Sequence, residues 1–163
     1  MQEIDSMYPA DKSELYQLLH SQLKGLLENE TFVIPNLSNA SALLGLALKD
    51  INWVGFYLIQ NNELLLGPFQ GKPACIHISI GKGVCGSAVQ NNETLLVPDV
   101  HAFPGHIACD SASRSEIVVP IRANGRIVGV LDIDSPRTER FDLQDQKGLE
   151  EFVHILEAGC SWT

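Results

Sequence analysis

The stretch EIVVPIRANGRIVGVLDIDS, residues 116–135, consists of two runs rich in Val and Ile joined at Asn124-Gly125. β-Branched residues favour strands, and Asn-Gly accepts the positive φ angles of a tight hairpin turn. Two strands so linked pair antiparallel. Leu131 and Ile133 alternate with Asp132 and Asp134. Both carboxylates should therefore leave one face of the second strand, roughly 7 Å apart.

Working outward, the residues before this hairpin supply the rest of a sheet. INWVGFYLI, then Asn61-Asn62, then ELLLGPF predicts a hairpin over 51–69 whose first strand is apolar on both faces. ACIHISI, residues 74–80, reads as a strand, GKGVCGSAVQ as a turn opening a short helix, and LLVPDV as another short strand. His101 to Ser115, rich in Gly, Pro and Ser, predicts a loop.

Helical spacing marks both ends of the chain. Asp11 and Glu14 form a capping-box pattern ahead of Leu15, Leu18, Leu19, Leu23 and Leu26, so a first helix should end near Asn29. After Pro35, the Asn and Ser residues of NLSNASALLGLALK suit the caps of a second helix. A last helix is expected near 142–158. Strands joined by hairpins and flanked by helices predict an α+β fold, a central antiparallel sheet of about six strands with helices packed on it.

A length of 163 residues, 45% hydrophobic and 19% charged, suits one packed domain spanning 1–163. Eleven Lys and Arg against 20 Asp and Glu leave a net charge of -9, which opposes nucleic acid and anionic membranes. The first residues lack a basic and then apolar leader, and no stretch has the length to span a bilayer. A cytoplasmic location is expected. There, four cysteines serve chemistry better than permanent bridges.

The residues alone leave the nucleophile open. Cys85 follows GKGV at a helix start, where the dipole and free amides lower a thiol pKa; the alternative is a small buried hydrophobe. Cys109 sits in the irregular loop, where function concentrates, but Asp110 beside it raises a thiol pKa. Cys75, in a strand, reads as core, and Cys160, near the chain end where segments fray, as incidental. Cys75, His77, Cys85, His101, His106 and Cys109 show neither CxxC nor HxxxH spacing, so no metal site is expected. Asp132 and Asp134 read as a cation-attracting pair or a solvated strand face. Trp53, Gly55 and Tyr57 share a strand face, with a gap at Gly55 between two aromatic walls, or are ordinary core.

Four segments resolve these alternatives: NWVGFYL (52–58), GPFQGKPACIHISIGKGVCG (67–86), VPDVHAFPGHIACDSASRSEIVVPI (97–121) and VGVLDIDS (128–135). Together they resemble the free methionine-(R)-sulfoxide reductases, stand-alone GAF-domain enzymes, through nearly the whole chain. The distinguishing mark is Cys75, Cys85 and Cys109, with nine and 23 residues between them. The resemblance implies a GAF fold, Cys109 as the attacking thiol in place of Cys85, and Glu116, Asp132 and Asp134 acting on the substrate. It also implies a pocket formed by Trp53 and Tyr57.

The implied reaction reduces free L-methionine (R)-S-oxide to methionine, leaves Cys109 as a sulfenic acid, and closes a disulfide with Cys75 or, second in preference, Cys85. Glu116 or one of the aspartates supplies the proton. No bound cofactor is expected. Thioredoxin, with a potential of about -270 mV, would reopen the bridge, drawing ultimately on NADPH. The other expected contact is a second copy of the chain, as a homodimer. Two competing readings are a GAF ligand-sensing module and a dithiol redox switch without a substrate.

Overall fold

The computed structural model describes residues 7–107 and 109–163. Its elements run α1 (Lys12–Leu27), α2 (Val33–Ala47), β1 (Trp53–Gln60), β2 (Glu63–Gly71), β3 (His77–Ser79), α3 (Gly83–Asn91), β4 (Leu95–Val97), β5 (Ser115–Ala123), β6 (Arg126–Ser135) and α4 (Leu143–Gly159). The strands form one six-stranded antiparallel sheet in the order β3-β2-β1-β6-β5-β4. The fold is α+β, as the hairpin patterns predict.

Both tight turns rest on residues that tolerate positive φ. Asn124 and Gly125 adopt 55° and 76° between β5 and β6, and Asn61 and Asn62 adopt 53° and 63° between β1 and β2. The central strands alternate strictly. Val54 and Phe56 of β1, Ile117, Val119 and Ile121 of β5, and Leu131 and Ile133 of β6 face α1, α2 and α4 in the larger core. Trp53, Tyr57, Val118 and Val130 face the other way, toward α3 and Val100. Both faces of β1 are buried, as its composition predicts.

The helices follow from capping and periodicity. The Asp11 carboxylate accepts the Glu14 amide at 3.0 Å, and α1 buries Leu15, Tyr16, Leu19, Leu23 and Leu27. At α4, Asp142 and Asp145 complete a reciprocal capping box. Gly148 lets α4 lie directly against the Tyr16 ring, where a Cβ would collide.

Three local expectations are corrected. Helix α2 begins at Val33, before Pro35, with no side-chain cap. Proline is tolerated there because a first-turn N–H lacks a helical partner anyway. The 74–80 strand shrinks to His77–Ser79, since β3 is an edge strand paired with β2 alone, and Cys75 lies in the loop before it. Cys160 does not fray: it caps α4, donates its amide to the Leu156 carbonyl at 3.1 Å, and is 9% exposed.

Among the described residues, no helix is long and apolar enough to cross a membrane.

Candidate active site

The pleat of β5 and β6 gathers three carboxylates on the α3 face of the sheet. Glu116 pairs across the ladder with Asp134, while Asp132 lies opposite Val118 on β5 and Gly55 on β1. Glu116 is 6% exposed; of the pair expected on a solvated or cation-attracting face, Asp132 is 5% exposed, against the solvated reading, and Asp134 is intermediate. Helix α3 adds Cys85 from above. The Cys85 Sγ, a Glu116 oxygen and an Asp132 oxygen all lie within 4.8 Å of one another.

The electrostatics reverse the expectation for Cys85. It does occupy the first turn of α3. Burial, followed by the charges of Asp132, Glu116 and Asp134, pushes its thiol well up instead of down. Those acids lie in another part of the sequence, so a local reading at GKGVC misses them. Burial also raises Glu116 well above the usual carboxylate range, with the Asp132 and Asp134 charges adding to it. Asp134 rises through burial and Asp132. Burial raises Asp132 too, against the lowering influence of the neighbouring Glu116 carboxyl and Cys85 thiol. The cluster thus retains protons that exposed acids would lose.

Aromatic residues form the adjoining wall. Trp53 and Tyr57 stack with centroids 6.0 Å apart, and Trp53 stacks on Phe69 at 5.2 Å. The gap expected at Gly55 is not open. Phe69 and the Pro68 carbonyl of β2 press onto it, beside an irregularity in the β1–β2 register. The missing side chain serves strand contact.

Cys75 and Cys109 are joined in a disulfide, with Cα atoms 5.7 Å apart and a sequence separation of 34. Each anchor of this bridge is tied to the site. Tyr57 donates its hydroxyl to the Cys75 carbonyl at 2.9 Å. Beside Cys109, Asp110 accepts the Asn52 amide at 3.0 Å and the Ala112 backbone N–H at 2.9 Å. These hydrogen bonds hold the Asp110 carboxyl below its ordinary value. Arg114 donates its backbone N–H to the Ser135 carbonyl at 2.7 Å. The long loop is thus fastened to the end of β6, next to Asp134.

The pocket between bridge, aromatics and carboxylates is lined by Trp53, Tyr57, Cys85, Cys109, Glu116, Asp132 and Asp134 among others, and encloses about 40 Å³. That exceeds the about 10–15 Å³ that one ordered water needs. Lys82 and His106 also line it. In the sequence His106 reads only as a metal ligand, and Lys82 and the Asn52–Asp110 tether carry no assignment. The Asp110-Ser111-Ala112 turn pattern was the one signal available for the last. Of the six Cys and His residues weighed for metal binding, Cys85, His106 and Cys109 line the pocket. His77 instead pairs with Glu63 at 2.7 Å on the sheet edge, and Cys160 lies at the far end of α4 against Asn36.

Comparison with known proteins places this geometry. Residues 24–159 match the GAF domain model. The free methionine-R-sulfoxide reductase of Escherichia coli is 50% identical over 147 residues, covering 90% of this chain and 89% of that protein. The structure of fRMsr of Staphylococcus aureus in its reduced form is 58% identical with a TM-score of 0.88, covering 90% of this chain and 95% of that one. The free methionine-R-sulfoxide reductase of Neisseria meningitidis, solved in complex with its substrate, is 46% identical with a TM-score of 0.89, covering 92% and 90%. The chain belongs to the GAF family and, within it, to the free methionine-R-sulfoxide reductases.

Proposed function

We propose that this chain, as one GAF domain over 1–163, reduces free L-methionine (R)-S-oxide to L-methionine, with Cys109 as the attacking thiol. The observation that carries this reading is the Cys75–Cys109 bridge beside a pocket of buried, proton-retaining carboxylates. The names of the relatives and the substrate complex from Neisseria meningitidis support the choice of substrate.

The reaction needs a thiolate at sulfur and protons at the departing oxygen. The Cys109 thiolate attacks the sulfoxide sulfur and forms an S–S bond while Glu116 protonates the oxygen. The oxygen then transfers to the Cys109 sulfur as that S–S bond and the S–O bond to the substrate sulfur break, so an electron pair stays on the substrate sulfur, methionine leaves, and Cys109 becomes a sulfenic acid. The Cys75 thiol then attacks the Cys109 sulfur, expelling water and forming the bridge. Cys85 is the weaker candidate for this step: its thiol is buried and pushed up, and it stands free while Cys75 is bridged. Trp53 and Tyr57 enclose the S-methyl end. Asp132 and Asp134 receive the ammonium that a peptide-bound methionine lacks, which selects the free amino acid.

The bridged form is the spent state. Its pocket of about 40 Å³ is far below the roughly 300 Å³ at which small-molecule sites begin. Thioredoxin, a dithiol protein of sufficiently low potential, reopens the bridge, and NADPH supplies electrons through thioredoxin reductase. This cycle needs a reducing compartment, and the cytoplasm fits it.

The test mixes purified protein, dithiothreitol and each epimer of free methionine sulfoxide separately, and measures methionine. Release from the R epimer is expected. No release from either epimer would return the chain to a ligand-sensing GAF module.

A further inference from the structure

Cys85 is one member of the site that the reductive cycle leaves without a task. It takes no part in the bridge, and it is buried against Glu116 and Asp132. Its Sγ and one oxygen from each acid lie within 4.8 Å of one another. A second observation concerns Asp132: although 5% exposed, it has a buried Oδ1 with no hydrogen-bond partner among the described residues. A buried carboxylate oxygen without a donor is costly and suits a cation that coordinates it directly.

One thiolate and two carboxylates form a donor set that zinc-type ions accept, with sulfur at about 2.3 Å and oxygen at about 2.0–2.2 Å. Donors already within 4.8 Å of one another reach a common ion by side-chain adjustment. Cys109 lines the same pocket, and reduction of the bridge frees its sulfur. A coordinated thiol is deprotonated by the ion itself, so a high thiol pKa does not prevent ligation; it makes binding release protons.

We propose that the reduced protein binds one soft divalent cation of the zinc type through Cys85, Glu116 and Asp132, with Cys109 as the fourth ligand. The ion occupies the carboxylates and the nucleophile together, so it inhibits the enzyme. It is not a cofactor. The bridged form, lacking a free Cys109 sulfur, binds it more weakly. The binding claim stands on the donor geometry alone, whereas the inhibition claim rests on the proposed reductase activity.

Cadmium ion alone is the probe, added to reduced full-length protein from which the reductant has been removed, with the ultraviolet thiolate-to-metal charge-transfer band as the readout. The band should saturate at one equivalent. Cys85→Ser should cut it by about half, since one of two thiolates is lost. Asp132→Asn should keep both sulfurs but weaken binding by roughly tenfold or more, the loss that even an outer-shell partner produces. Cys160→Ser should change nothing. Circular dichroism of each variant establishes that it has folded, and Asp132→Asn carries the test if Cys85→Ser fails to fold. A full band with unchanged affinity in Cys85→Ser or in Asp132→Asn would overturn the site, because the ion would then be held by Cys75 and Cys109. A wild-type titration with no saturable band would overturn it as well. Zinc ion should raise the apparent KM for the R epimer in the wild type; binding without such inhibition would overturn the exclusion of substrate and leave the site standing.

Discussion

Two buried acidic clusters lie on opposite faces of the sheet, and they are built on opposite principles. On the helical face, Asp145 is 1% exposed, and each neighbour gives it a proton or a positive charge. The Tyr16 hydroxyl donates at 2.7 Å, the Lys12 ammonium at 2.7 Å and the Asp142 backbone N–H at 3.0 Å, with the Arg140 guanidinium 3.5 Å away. On the α3 face, Glu116, Asp132 and Asp134 face one another and a thiol, and Asp132 Oδ1 has no hydrogen-bond partner among the described residues. The first cluster fastens α1 to α4. The second opposes folding at neutral pH, and a chain retains such a group for chemistry.

Removing the reactive sulfur gives the largest effect expected from this contrast. Cys109→Ser should reduce methionine release to that of a protein-free blank; measurable turnover would dethrone Cys109 and break the assignment of the α3 face. Next, Glu116→Gln should lower turnover about 10²- to 10⁴-fold, the usual worth of a general acid. Its urea midpoint at neutral pH should hold or rise, because an uncompensated buried acid has gone. A Glu116→Gln protein that is both fully active and less stable would make the two clusters alike. Asp145→Ala should do the reverse, costing about 3 kcal/mol of stability in urea unfolding while turnover per folded molecule is kept. Tyr16→Phe sharpens the same arm: loss of one hydrogen bond to a charged group should cost about 2 kcal/mol and leave KM unchanged.

The smallest effect is in pH. The α3-face acids have raised folded pKa values, so their contribution is complete below the unfolded value of about 4 and is lost as pH rises through the folded values. For Asp142 burial would raise the pKa, but the Lys12 ammonium and the Asp145 amide hold it down to about 2. Its contribution is therefore lost as pH falls from about 4 toward 2. Melting temperature against pH should decline on both sides, and Glu116→Gln should flatten the alkaline side only.

Local chemistry was legible where neighbours in sequence decide the outcome. Asn124-Gly125 and Asn61-Asn62 announce their turns, the alternation through Asp134 announces its face, and Asp11 announces a helix start. Legibility ends where distant segments meet. Cys75 reads as strand because Ile76, Ile78 and Ile80 follow it at period two, yet the edge strand β3 does not extend back that far. The thiol of Cys85 reads as activated until β5 and β6 bring carboxylates to it. The gap at Gly55 reads as a ligand slot until β2 fills it. Glu116, which opens an apolar strand, carries no local mark of a role and was singled out by resemblance alone.

The 34-position span between Cys75 and Cys109 makes the proposed catalytic cycle also a cycle of chain constraint. Closing a loop of that size removes enough freedom from the unfolded chain to add about 4 kcal/mol of stability. In the proposed cycle the bridged molecule should therefore be sturdier than the reduced one, with a higher melting temperature and slower proteolysis. Resistance to unfolding would then gauge how far recycling has fallen behind.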